Sequence, residues 1–237
     1  MFSLGRVTPR MTETFKSDFF EEQHQILSRL RDATKVKEQG IVRSPLLQQE
    51  GRGSYLIALR HPEEITRPLE ELSRKIAEVA PALEYSRKTL HTTIALWKAG
   101  PNFEVRQDEL ERLQTAIEPM EGRLISPVLT YSEIFYNQDS VMTVGEARED
   151  FREMANQVLE GLSEVGIEAR PPWGGHITVS RFTEPVGAND LRPLFQLLDT
   201  AQMDLRSIPV SLDVGHTEMT DGGFSYGMTY SIPLQIS

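Results

Sequence analysis

Two segments decide how this chain reads: Leu90-His-Thr-Thr-Ile-Ala-Leu-Trp97 and His176-Ile-Thr-Val-Ser-Arg-Phe182. Both are short and rich in β-branched and apolar residues, the composition of a strand. Each carries the triplet His-x-Thr. Side chains two apart in a strand share a face. His91 therefore stands beside Thr93, and His176 beside Thr178, with Ile94 or Ile177 turned toward the core.

Working outward, both triplets sit at the same point of a repeated pattern. Ahead of the first come a strand Tyr55–Leu59, a helix opening at Pro62-Glu63-Glu64 with apolar positions Ile65, Leu69, Leu72, Ile76 and Val79, and a loop through Pro81. Ahead of the second come a strand Val141–Val144, a helix Glu149–Glu164 and a loop through Pro171 and Pro172. Ser54 stands 37 residues before His91, and Ser140 stands 36 before His176. Downstream, helices are predicted over Asp108–Glu118 and Asn189–Leu198. Then Ser126-Pro127-Val128 and Ile208-Pro209-Val210 each open a further strand. Asn137-Gln-Asp139 and Asp221-Gly-Gly223 supply hairpin turns. The reading is an α+β fold: duplicated β-α-β units related by a pseudo-twofold axis, forming two lobes around a central cleft.

The first fifty residues stand apart. Phe19, Phe20, Gln23, Ile26, Leu27, Leu30, Ala33 and Thr34 recur at helical spacing, which predicts an amphipathic helix from about Ser17 to Glu38. Ser17 and Asp18 can cap its start, and Gly40 follows its end. Residues 1–50 thus read as a helical appendage packed on the body, and residues 51–237 as the bilobal domain.

Composition limits the chemistry. The chain has 237 residues and no cysteine, which removes disulfides, thiolate chemistry and cysteine-based zinc sites. The formal net charge is −10, whereas proteins that grip long nucleic acid display a basic face. A nucleotide partner is therefore small, or the end of a strand; long duplex nucleic acid is not expected. No run approaches the roughly 18 apolar residues of a membrane helix, and no secretory signal opens the chain. A cytoplasmic location without membrane partners is expected.

Two imidazole–hydroxyl pairs facing one another suit a phosphodiester. One neutral histidine takes a proton from the attacking oxygen, and the other, protonated, delivers one to the leaving oxygen. The threonine hydroxyls can donate to phosphoryl oxygens as negative charge grows. No metal and no cofactor are called for. His24, His61 and His216 lack a hydroxyl residue two positions on, and plain surface or capping roles are expected for them.

The two His-x-Thr strands in a duplicated frame resemble the two-histidine (2H) phosphoesterases, the family of LigT-like and cyclic phosphodiesterase proteins. His176-Ile-Thr-Val-Ser-Arg181 is similar to that family's His-x-Thr-x-x-Arg form. The resemblance runs from about Tyr55 to the C-terminus. It implies metal-independent phosphodiesterase activity on 2′,3′-cyclic phosphates or 2′,5′ linkages, with His91 and His176 as the acid/base pair and Thr93 and Thr178 as phosphate ligands. A phosphodiesterase degrading cyclic oligonucleotides, or a nucleotide-binding module without turnover, would use the same pocket. Tyr85, Lys88, Trp173 and Arg181 are further candidates for substrate contact. Arg181 has the opposite strand parity to His176, so a regular strand would turn it to the outer face; only a bulge or strand end would bring it inward. Gly174 and Gly175 put Trp173 on a flexible approach to His176.

Overall fold

A computed structural model of the chain describes residues 21, 23–30, 33–48, 51–220 and 223–236. Among these residues eight strands form one curled sheet: β1 (Arg52–Arg60), β2 (His91–Gly100), β3 (Leu129–Tyr136), β4 (Ser140–Glu146), β5 (Gly175–Arg181), β6 (Leu205–Ser207), β7 (Ser211–Thr220) and β8 (Gly223–Pro233). Their order is β6-β3-β4-β5-β2-β1-β7-β8, and every pairing is antiparallel. Residues 23–30 are helical and are designated α1. The remaining helices are α2 (Thr34–Gln39), α3 (Glu63–Val79), α4 (Gln107–Ile117), α5 (Glu149–Glu164) and α6 (Arg192–Thr200).

The duplication is visible in the topology. The half β2-β1-β7-β8 mirrors the half β5-β4-β3-β6, and the two meet at a seam where Thr92 pairs with Ile177. β3 follows the helix of the first repeat yet joins the second half; β7 follows the helix of the second repeat yet joins the first. Helix packing is exchanged the same way, with α3 lying on β5 and α5 on β2. Each half thus completes the other, and neither repeat encloses its own core.

The predicted elements form because local chemistry agrees with burial. α3 carries Glu63 and Glu64 in its first turn, where carboxylates complement the helix dipole, and it buries Ile65, Leu69, Leu72 and Ile76. α5 spans Glu149–Glu164 as predicted, buries Phe151, Met154, Val158 and Leu162, and is anchored by the Asp150 carboxylate accepting from the Val128 amide at 3.0 Å. The strand β6 was not anticipated. Among the described residues, no helix is long and apolar enough to cross a membrane.

The N-terminal segment differs from the single helix expected. Ala33, at φ −82° and ψ 4°, is not helical, and α2 starts afresh at Thr34. This break lets Val36 and Ile41 enter the main core. Gly40 ends α2 at φ 86° and lies close against the Val186 carbonyl, a place no side chain fits. The stripe residues Phe19 and Phe20 and the caps Ser17 and Asp18 lie outside the described residues.

Candidate active site

The seam between β2 and β5 brings the two triplets together. From each histidine onward the strands show one exposure pattern: half-buried, buried, half-buried, buried, buried, half-buried, over 91–96 and over 176–181. Two consecutive buried residues betray a bulge. On β2 it falls at Ile94, between the pairs Ala58–Thr93 and Ile57–Ala95. On β5 it falls at Val179, between Met142–Thr178 and Val141–Ser180. Both lie three residues past the histidine. Thr92 opposite Ile177 sets His91 across from Thr178 and Thr93 across from His176 when the antiparallel register is carried one residue each way. The two histidines are then diagonal neighbours on one face, a relationship that separates residues by about 7–8 Å. That suits a phosphoryl group between them.

Both rings are held alike. His91 Nδ1 lies 2.7 Å from the Thr89 carbonyl, and His176 Nδ1 lies 3.5 Å from the Gly174 carbonyl, each two residues upstream. A carbonyl only accepts, so Nδ1 carries the proton and Nε2 is left for chemistry. Each ring also stacks on an aromatic: His176 on Trp173 at 4.3 Å, and His91 on Tyr226 at 5.1 Å. Burial lowers both histidines. For His176, reinforced by the charges of His91 and Arg181, it does so to about 4. For His91 the Asp213 carboxylate works against the burial.

The bulge at Val179 reverses the expectation for Arg181. It shifts strand parity by one, so Arg181 faces the histidines' side, and its charge depresses both imidazoles. Asp139 holds Nη1 at 3.5 Å, while Nε is buried without a protein partner. The first repeat has the apolar Leu96 at the equivalent place. Other candidates fall differently. Tyr85 is 3% exposed and stacks flat on Phe224, 4.9 Å away; burial leaves it no open face for a base, so it supports the wall. Lys88 is exposed at the rim of a cavity of about 600 Å³ beside His91. Trp173 sits on a tight approach, not a flexible one: a Cβ on Gly175 would meet Leu129 at 2.9 Å, and one on Gly174 would meet Gln23 at 2.7 Å.

Several contributors escaped sequence reading. Arg60 pairs across from His91 in the sheet. Its guanidinium is held by Asp213, with Nε to Oδ2 at 2.8 Å, and the Asp213 carboxylate also accepts from Ser211 and Ser231. Tyr226 reaches the cavity with its hydroxyl buried and unpartnered. His61, expected at the surface, is 4% exposed and neutral, lowered to about 3 chiefly by burial. It belongs to a network under the seam. Thr92 Oγ1 donates to the His176 carbonyl at 3.1 Å, which makes it the acceptor for the Tyr131 hydroxyl at 2.9 Å and His61 Nε2–H at 3.0 Å. His61 Nδ1 then accepts from Ser207 at 2.7 Å. Thr92's position beside a catalytic candidate was the only hint of this in the sequence.

No protein-family model matches the chain, and no curated protein matches it. Solved structures do. TT0787 of Thermus thermophilus superposes with a TM-score of 0.58 at 19% identity, covering 78% of this chain and 99% of its own. E. coli LigT in its apo form gives 0.50 at 15% identity with the same coverages. The fold is that of LigT and its 2H relatives. LigT complexed with NADP+ also gives a TM-score of 0.50, over 77% of this chain and 98% of its own. Nearly the whole of each of these structures is thus matched by about three quarters of this chain.

Proposed function

We propose that the chain is a metal-independent phosphodiesterase acting on small or terminal nucleotide diesters, 2′,3′-cyclic or 2′,5′-linked. The observation that supports the reading is the matched pair of bulged strands, each tying a histidine by Nδ1 and so leaving Nε2 for chemistry, with the two histidines on one face of the sheet. The shared fold with LigT, which has been solved with NADP+, supports a nucleotide ligand.

The electrostatics divide the roles. His176, lowered to about 4, stays neutral and serves as base. His91 has the Asp213 carboxylate to support its charged form and serves as acid. His176 Nε2 takes the proton of the attacking hydroxyl or water as the new P–O bond forms. The opposite P–O bond breaks, and the leaving oxygen takes the proton of His91 Nε2–H. Exchange with solvent restores the starting protonation. Thr93, Thr178 and the unpartnered Arg181 Nε donate to the phosphoryl oxygens, where preorganised donors act on developing charge.

A leaving-group comparison tests this. On a 2′,3′-cyclic nucleotide, His91→Ala and His176→Ala each lower kcat by about 10²–10⁴, the usual worth of general acid or base catalysis. On a p-nitrophenyl diester, whose leaving group departs without a proton, His91→Ala keeps most of the wild-type rate while His176→Ala does not. Near-native turnover of the cyclic nucleotide by either variant would refute the paired role.

A further inference from the structure

The two halves of the groove are built from equivalent strands but are not equivalent surfaces. Across from His91 stands Arg60, and across from His176, at the matching register position, stands Val144. The His176 half continues through Met142 and Phe135, which with Val144 form an apolar cluster separate from the main core, on the face that carries His176 and Thr178. Leu27 and Leu30 of α1 and the Trp173 ring pack onto that cluster. At the start of α1, Gln23 is 6% exposed, with its Nε2 buried and unpartnered. It lies against Gly174, whose missing side chain is what admits it: the three heavy atoms nearest a Cβ there all belong to Gln23.

The His91 half is open and polar. Its cavity of about 600 Å³ is lined by Arg60, Lys88, Tyr226 and Met228 among others. The acidic groups there are already engaged: Arg87 bridges Glu63 and Glu70, and Asp213 holds Arg60. Unspent donors remain on Lys88, which has no ion pair among the described residues, and on the Tyr226 hydroxyl.

We propose that α1 is an end wall of the groove, closing it beyond His176, so that the nucleotides of a longer substrate extend only across the Arg60–Lys88 side. The inference rests on the phosphodiesterase reading above and deepens it. Such a groove takes a phosphorus that carries chain on one side. Gln23 and Gly174 are positioning residues that seat the wall against the Trp173–His176 stack.

The test compares two oligoadenylates of equal length on the full chain. One ends in a 2′,3′-cyclic phosphate, so its reacting phosphorus carries chain on one side; the other has a reacting 2′,5′ linkage in its interior. The wild type favours the first by at least about tenfold in kcat/KM, and Leu27→Ala/Leu30→Ala narrows the preference by accelerating the second. Gly174→Ala, whose added Cβ meets Gln23 first, narrows it too, and has no further effect in a Gln23→Ala background; this pair serves if the double-leucine variant does not fold. Equal rates on both substrates in the wild type, or a ratio unmoved in every folded variant, overturns the end wall while the chemistry stands. Turnover of neither, nor of a cyclic mononucleotide, overturns the phosphodiesterase reading itself.

Discussion

Replacing Thr92 with valine removes one oxygen and keeps the shape, so the result reports on hydrogen bonding with little contribution from packing. Thr92 is fully buried, and its hydroxyl serves three partners from two other strands and a loop: the His176 carbonyl, Tyr131 and His61. Each buried group left without a partner costs about 1–3 kcal/mol. Part of this can be recovered. If His61 moves its proton to Nδ1, that nitrogen donates to Ser207, and Nε2 becomes free to accept from Tyr131, already 3.4 Å away. The His176 carbonyl loses the Thr92 donor outright. A net loss of about 3 kcal/mol follows, between the relaxed and unrelaxed limits. For a chain of this size each kcal/mol moves Tm by roughly 2–4 °C, so scanning calorimetry should find a fall of about 6–12 °C. Thr92→Ser, which loses a methyl worth about 0.8 kcal/mol, should fall much less. Because the lost bond ends on the His176 backbone, kcat in the valine variant should drop below that of the serine variant at a temperature where both are folded. A Thr92→Val protein melting within about 2 °C of wild type would refute the network as the tie between the halves.

Two predictions concern pH. Catalysis needs His176 neutral, which holds above about 4, and His91 protonated, which holds below a value lowered from the ordinary 6.5. The profile of kcat/KM, which reports the free enzyme, is therefore bell-shaped with its maximum on the acid side of 6.5; a maximum above about pH 7.5 would contradict the assignment. Stability follows the same sign by a different group. His61 is lowered to about 3 in the folded chain, so between that pH and 6.5 the unfolded chain binds the extra proton and stability rises with pH. The contribution is fully present above 6.5 and is lost on acidification, up to on the order of 5 kcal/mol from the size of the shift. Denaturant midpoints of wild type and His61→Asn measured at about pH 7 and about pH 4.5 check this; an equal pH dependence in both would show that His61 is not the group responsible.

The fold was legible because it is written twice. Spacing agrees between the repeats, so the helix Glu149–Glu164 and the strands around both triplets are legible in the sequence, and in the structure the burial pattern repeats as well. What could not be read came from features without a local code. The bulge at Val179 depends on how β5 aligns with β4, a partner on the far side of α5, and no glycine or proline marks it. Hence strict alternation turns Arg181 to the outer face, and only the bulge, which nothing in the local sequence marks, brings it inward. His61 and Thr92 looked ordinary singly, since their significance arises only where β1, β2, β3 and β6 converge. Gly174 and Gly175 suggested freedom, whereas the packing uses them for close approach. A duplicated chain makes a symmetric scaffold, and two histidines held alike would be interchangeable. Asymmetry enters through substitutions at matching positions, Arg60 against Val144 and Arg181 against Leu96, and through α1, which covers one half only. These break the degeneracy of the pair, giving one imidazole a carboxylate neighbour and the other an apolar roof, and on the proposed reading that difference is what separates the acid from the base.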